Sequence, residues 1–291
     1  MPAPTIPRRA IKRFSKAELN AAHLCALALW YGIDYATAKD HISDAELLDT
    51  FAAPMYMHAI HKNKFAPPVF ANDIHNLIKA GKMHSLFRCI AGMNYRKGVN
   101  AIYKEIYPIF INQRKNNTED TKVNNAVTAL EKLSNGLVSA QQGHRLSLAS
   151  RILFYLTPNL HISNMNNSVA KKYGLPVRPY HHYSEYFELF AKGLIVNQTL
   201  LSKYKLPSKR DGLGPKTWEA VNKTNWWHRR ILDLAVLLDE GVYSVHPLLI
   251  QKLRAKIQLE KTAQVAIDYR LNNLRKHKVI NRIVYSKINY Y

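Results

Sequence analysis

Apolar residues recur at three- and four-residue spacing along most of this chain and rarely alternate, which predicts an almost entirely helical backbone with little sheet. The pattern marks helices at 16–31, 43–62, 71–80, 83–92, 98–114 and 119–134. Pro67-Pro68, Gly81, Gly98 and Asn116-Asn117 separate them. From 145 an apolar helix runs into Pro158, followed by a short extended piece and a helix in NNSVAKKYG. An aromatic amphipathic helix over 182–205, a strongly apolar one over 225–240 and one or two long helices over 247–287 complete the pattern. With 291 residues, 47% of them hydrophobic, the chain can fill one large core or two smaller ones, which excludes disorder as its main state.

Local signals place the helix starts. Ser15 is expected to cap the first helix, ahead of Lys16, Ala17 and Glu18. Ser43-Asp44-Ala45-Glu46 has the spacing of a capping box, and Thr118 precedes two acids that suit a helix's positive end. Before Ser15, three prolines and the basic residues Arg8, Arg9, Lys12 and Arg13 read as an extended arm, either laid along phosphates or solvated. The expected organisation is a basic arm over 1–15, a helical lobe over 16–140, a second lobe over 141–246 and a basic helical extension over 247–291.

Lys and Arg number 42 against 20 Asp and Glu, a net charge of +22, so the leading partner class is a polyanion, nucleic acid first. Two cysteines, Cys25 and Cys89, are too few for a disulfide framework or a four-thiolate cluster, and a reducing cytoplasm is expected. The apolar run Leu24–Trp30 is far shorter than a bilayer span, and no signal-like run follows Met1, so neither membrane insertion nor export is expected. Around His58 and His61, or His181 and His182, no acid or cysteine stands at ligand spacing. Neither a metal nor another cofactor is expected.

One string carries a chemical signal, Gly212-Leu213-Gly214-Pro215-Lys216-Thr217 ahead of a helix. Glycines there let a backbone approach a phosphate, and the amides of a helix start point toward it. The spacer of a P-loop is missing, and a plain turn would show the same glycines. The string resembles the hairpin of the helix-hairpin-helix DNA glycosylases. In that family the hairpin holds the DNA backbone, which implies phosphate contacts from Gly212, Gly214, Lys216 and Thr217.

The resemblance continues downstream. Lys216 stands where the endonuclease III branch carries its nucleophilic lysine, and Asp233, seventeen residues on, stands one residue short of the essential aspartate. Trp227 precedes it by six residues, as a tryptophan does in that pattern. Ser150 to Tyr155, through Pro158 to Asn167-Ser168-Val169-Ala170, and Arg229-Arg230-Ile231-Leu232-Asp233 are similar to segments of bacterial proteins of the 8-oxoguanine glycosylase-like fold. Some of those proteins are associated with phage defence. Here Asn166 or Asn167 takes a place usually held by Asp, and Leu206-Pro207 is set back from the hairpin.

The resemblance implies an all-α, two-lobed helical bundle of helix-hairpin-helix glycosylase type, with a base flipped from duplex DNA into a pocket between lobes. Asp233 would stabilise the electron-poor sugar or activate the nucleophile, and Lys216, if burial among Arg229 and Arg230 lowers its pKa, would attack the sugar. Asp211 and Asp239 are the nearest substitutes for the acid. The blander expectations are that Asp233 pairs structurally with Arg229 or Arg230 and that Trp226 and Trp227 anchor a core. The basic C-terminal stretch, with Lys252, Lys256, Arg275, Lys276 and Lys278 among its cations and Tyr269, Tyr285, Tyr290 and Tyr291 interleaved, is expected to contact nucleic acid. The competing expectation is a basic DNA- or RNA-binding protein that keeps this fold without the chemistry.

Overall fold

The computed structural model describes residues 9–61, 119–136, 146–175, 183–208, 213–242 and 244–257. Helices α1 (Lys16–Trp30), α2 (Asp44–His61), α3 (Glu119–Gly136), α4 (Leu146–Leu156) and α5 (Asn167–Lys172) are followed by α6 (Tyr183–Leu201), α7 (Pro215–Asn222), α8 (Trp226–Asp239) and α9 (Leu249–Lys256). A single bridge, Ile33 to Asp40, is the extent of β pairing among the described residues. The protein is mostly helical, as the apolar spacing predicts. The expected helices at 71–80, 83–92 and 98–114, the Thr118 start and everything beyond Ile257 lie outside the described residues. At Ile257 itself the backbone has left the helix for an extended conformation.

The chain divides into two compact units. The first draws its described residues from 1–10, 45–191 and 208–226. In it α3 packs on α4 and on the 3-10 turn Pro158–Leu160. The segment after that turn is held by side chains. Ser147 Oγ donates to the Met165 carbonyl at 2.8 Å, Ser150 Oγ accepts the Met165 amide at 2.8 Å, and the Tyr186 hydroxyl donates to the Asn164 carbonyl at 2.9 Å. Asn166 then caps α5 by accepting from the amides of Ser168 and Val169. Trp226 is fully buried against Phe154, and its indole N–H donates to the Phe154 carbonyl at 2.8 Å.

The second unit comprises 11–44, 192–207 and 227 onward. Ser15 and Glu18 form the expected capping box at the start of α1. From Leu19 to Trp30 every residue of α1 is buried, so beyond its first turn this helix has no solvent face and carries no polar stripe. Burying a side chain the size of Leu19 contributes about 1.5–3 kcal/mol. Cys25 is enclosed there, and burial pushes its thiol pKa up, away from reactivity. Trp227 meets Trp30 and His23 edge-on, both at 5.7 Å, and the Tyr204 hydroxyl donates to Asn20 Oδ1 at 2.7 Å.

The N-terminal arm differs from its expectation over 11–14. Ile11 and Phe14 are buried, and Asn197 on α6 accepts from the Phe14 amide at 2.8 Å while donating to the Lys12 carbonyl at 3.1 Å. Two apolar anchors, one and four residues before the cap, are enough to dock a segment whose charges, Lys12 and Arg13, still face outward.

Candidate nucleic-acid interface

Gly212 and Asp211 lie outside the described residues, so the hairpin is seen from Leu213 onward. Gly214 has φ −56° and ψ 140°, a conformation open to any residue, and Pro215 opens α7 where its missing N–H costs nothing. The glycine is explained by contact. Its amide donates to Asp49 Oδ2 at 2.9 Å, and a Cβ at Gly214 would stand 3.2 Å from Asp49 Oδ1. A carboxylate of the protein's own α2 therefore occupies the helix start at which the sequence predicts a phosphate.

The residues after the turn separate by exposure. Lys216 is exposed on α7, whereas Thr217 is buried, facing the core of its unit and not the surface a DNA backbone would touch. The exposure of Lys216 also removes the burial among Arg229 and Arg230 that a nucleophilic amine was expected to need.

On α8 the outcome is the reverse. Arg229 is fully buried, Arg230 nearly so, and Asp233 is 3% exposed. Arg230 grips Asp44 with two parallel bonds, Nε to Oδ2 at 2.8 Å and a terminal nitrogen to Oδ1 at 3.0 Å. The two arginines expected to hold phosphates are thus core residues, one of them neutralised by an acid at the start of α2. Helical spacing puts Arg229 one turn before Asp233 and Arg230 three residues before it. The substitute acid Asp239 is bonded to Lys12, which also bonds Glu18 at 3.0 Å. Trp226 and Trp227 are both buried anchors, with no ring face open for stacking on a base.

No family model, curated protein or solved structure matches this chain. Each unit has exposed cations of its own. Among the described residues Arg13, Lys16, Lys39, Lys203, Lys205, Lys216, Lys223 and Lys252 are exposed and make no ion pair. On α9 Leu249 and Leu253 are buried, whereas Lys252, Arg254 and Lys256 are exposed. Arg275, Lys276 and Lys278 lie outside the described residues. No described helix is long and apolar enough to cross a membrane.

Asp44, Asp49 and Asp40 went unnoticed as site residues in the sequence, because each acts on a partner far along the chain. The one local sign was composition: in a chain this poor in acids, each buried or bonded carboxylate has a cation or a helix end to meet.

Proposed function

We propose that this protein binds duplex DNA by its phosphate backbone and excises a modified base from it, in the manner of the glycosylases it resembles, by hydrolysis at Asp233 and not by attack of Lys216. The observation that carries the choice is the contrast in burial between these two residues. A desolvated carboxylate acts strongly on a cation developing on the sugar, because little water screens it. An exposed lysine is placed to serve as a phosphate contact. Removal of a modified base from viral DNA, as a defence against phage, is the use this chemistry would have.

The test is release of free base, followed by mass spectrometry, from host DNA and from phage DNA carrying modified bases. Wild type and Lys216→Gln should both release base, with borohydride trapping neither on DNA, and Asp233→Asn should bind DNA and release none. Borohydride trapping of wild type but not of Lys216→Gln would overturn the assignment to Asp233. A second reading, a binder without chemistry, is favoured by the Asp49 carboxylate on the Gly214 amide and by the burial of Thr217, Arg229 and Arg230. Tight, salt-sensitive binding with no base released from any DNA would establish it.

A further inference from the structure

Between α1 and α2 the chain makes a closed loop that no part of the glycosylase resemblance uses. Gly32, at φ +73°, turns the chain out of α1, and a Cβ there would stand 2.6 Å from the His41 carbonyl, which only glycine avoids. His41 N–H returns to the Gly32 carbonyl at 2.9 Å. At the tip, the Ala38 amide donates to the Asp34 carbonyl at 2.8 Å and Asp34 Oδ1 accepts from the amides of Ala36 and Thr37. These bonds hold Ala38 at φ +52°, a left-handed conformation that an alanine adopts only when its surroundings impose it. The result is a stiff loop that presents Lys39 and Asp40 to solvent.

α9 is fastened to this loop. The His246 amide donates to the Tyr35 carbonyl at 2.9 Å, and Lys256 Nζ donates to the Gly32 carbonyl at 3.1 Å and to Asp40 Oδ1 at 2.8 Å. The Lys256 hydrogen bond, then its charge, holds the Asp40 carboxyl below the usual carboxylate range, and Lys252 adds to the effect from the same helix. Lys39, Lys252 and Lys256 thus stand around the exposed Asp40, while the loop's other carboxylate, Asp34, is half-buried and bonded to its own loop.

We infer that loop 32–41 and α9 together form a docking surface for the phosphodiester backbone of duplex DNA, in which Asp40 is the internal anion that a DNA phosphate displaces from Lys256. The inference rests on the reading that the protein binds DNA. Charge complementarity carries the choice of occupant: the chain has a net charge of +22, and the surface offers exposed ammonium groups around Asp40, with Leu248 its one exposed large apolar side chain among the described residues. Asp40 fits displacement because its side chain is 83% exposed, so a phosphate reaches Lys256 without opening the fold.

Binding of a mixed-sequence duplex, measured by fluorescence anisotropy from 50 to 200 mM salt, tests this. Asp40→Asn should tighten binding about fivefold at 100 mM salt and steepen the plot of log affinity against log salt by about 0.9, the signature of one further phosphate. Lys252→Glu and Lys39→Glu should each weaken binding tenfold or more and flatten that plot by about 1. Glu131→Gln, an exposed acid of α3 whose loss raises the net charge equally, should change affinity less than twofold. If Asp40→Asn binds like Glu131→Gln or more weakly, or if Lys39→Glu and Lys252→Glu are silent while wild type binds, the surface is wrong and the DNA-binding reading survives. If wild type binds no duplex even at 50 mM salt, both fail. Tighter binding to single-stranded RNA with the same pattern of variants would overturn the commitment to duplex DNA. Lys39 keeps the test sharp should Asp40→Asn loosen the loop, because its side chain holds nothing in place.

Discussion

Two ion pairs in the second unit, Arg230 with Asp44 and Lys256 with Asp40, use the same chemistry in opposite surroundings. The Asp44 side chain is 3% exposed and that of Asp40 83%. In the first pair two parallel bonds compensate charges that have lost their water, so losing either partner costs the other both of them. In the second, water and salt compete with a single bond, and the pair can open at little cost. The same ion-pair chemistry thus locks the fold at one depth and stays open to water and salt at the other. That is why the arginines expected at a phosphate hold up the core, while a loop lysine and an aspartate that attracted no notice stand at the surface.

The comparison is broken most directly by removing one acid from each pair. Asp44→Ala should cost about 3–5 kcal/mol, because it takes both Asp44 bonds from the buried Arg230 guanidinium, and should lower the melting temperature by on the order of 10 °C. Asp40→Asn should leave the melting temperature nearly where it was. The double variant Asp44→Leu with Arg230→Met should recover most of the loss, since a buried pair can be replaced by packed apolar groups. If the two single variants melt alike, depth does not separate the two roles.

A smaller effect sharpens the same point at the N-terminal segment, which is held by a buried amide and a surface pair. Asn197→Ala deprives the buried Phe14 amide of its acceptor and should cost about 1–3 kcal/mol. Lys12→Ala removes the bonds to Glu18 and Asp239 and should cost less than about 1 kcal/mol, because the ammonium is largely solvated. Thermal melts at equal salt decide between them.

The smallest effect is a titration at intermediate depth. Desolvation holds the His228 pKa below the ordinary imidazole value, the bond to the Tyr204 carbonyl opposes the shift, and Lys205 reinforces it. The unfolded chain thus binds this proton more readily than the folded one. The stability His228 contributes is complete above the ordinary imidazole pKa and is lost as pH falls below it. Melting temperature should drop between pH 7.5 and 5.5, and His228→Gln should flatten that drop. An unchanged pH profile in the variant would show that another group carries it.

Much of the helical scaffold was legible because its signals are local. Ser15 with Glu18 marks the start of α1, the apolar spacing of 225–240 marks α8, and Pro158 ends the run of α4, each readable within a few residues. The site was less legible for the same reason. Gly214 reads as a phosphate turn until Asp49, 165 residues away, is found on its amide. Nothing near Arg229 and Arg230 says whether their face of α8 looks inward.

Local signals in the sequence establish that the chain is helical and where most of the described helices begin and end, and composition fixes its net charge of +22. Hydrogen bonds within a helix span four residues, and net charge needs no geometry at all, so both are properties of the string. Only the tertiary structure decided which charges face water. Asp44 meets Arg230 across 186 positions and Asp40 meets Lys256 across 216, and a side chain's depth depends on what the rest of the chain packs over it. The free energy of a charge differs between those two depths by more than any local preference can supply, so the fold, and not the local sequence, assigned each cation to the core or to the surface.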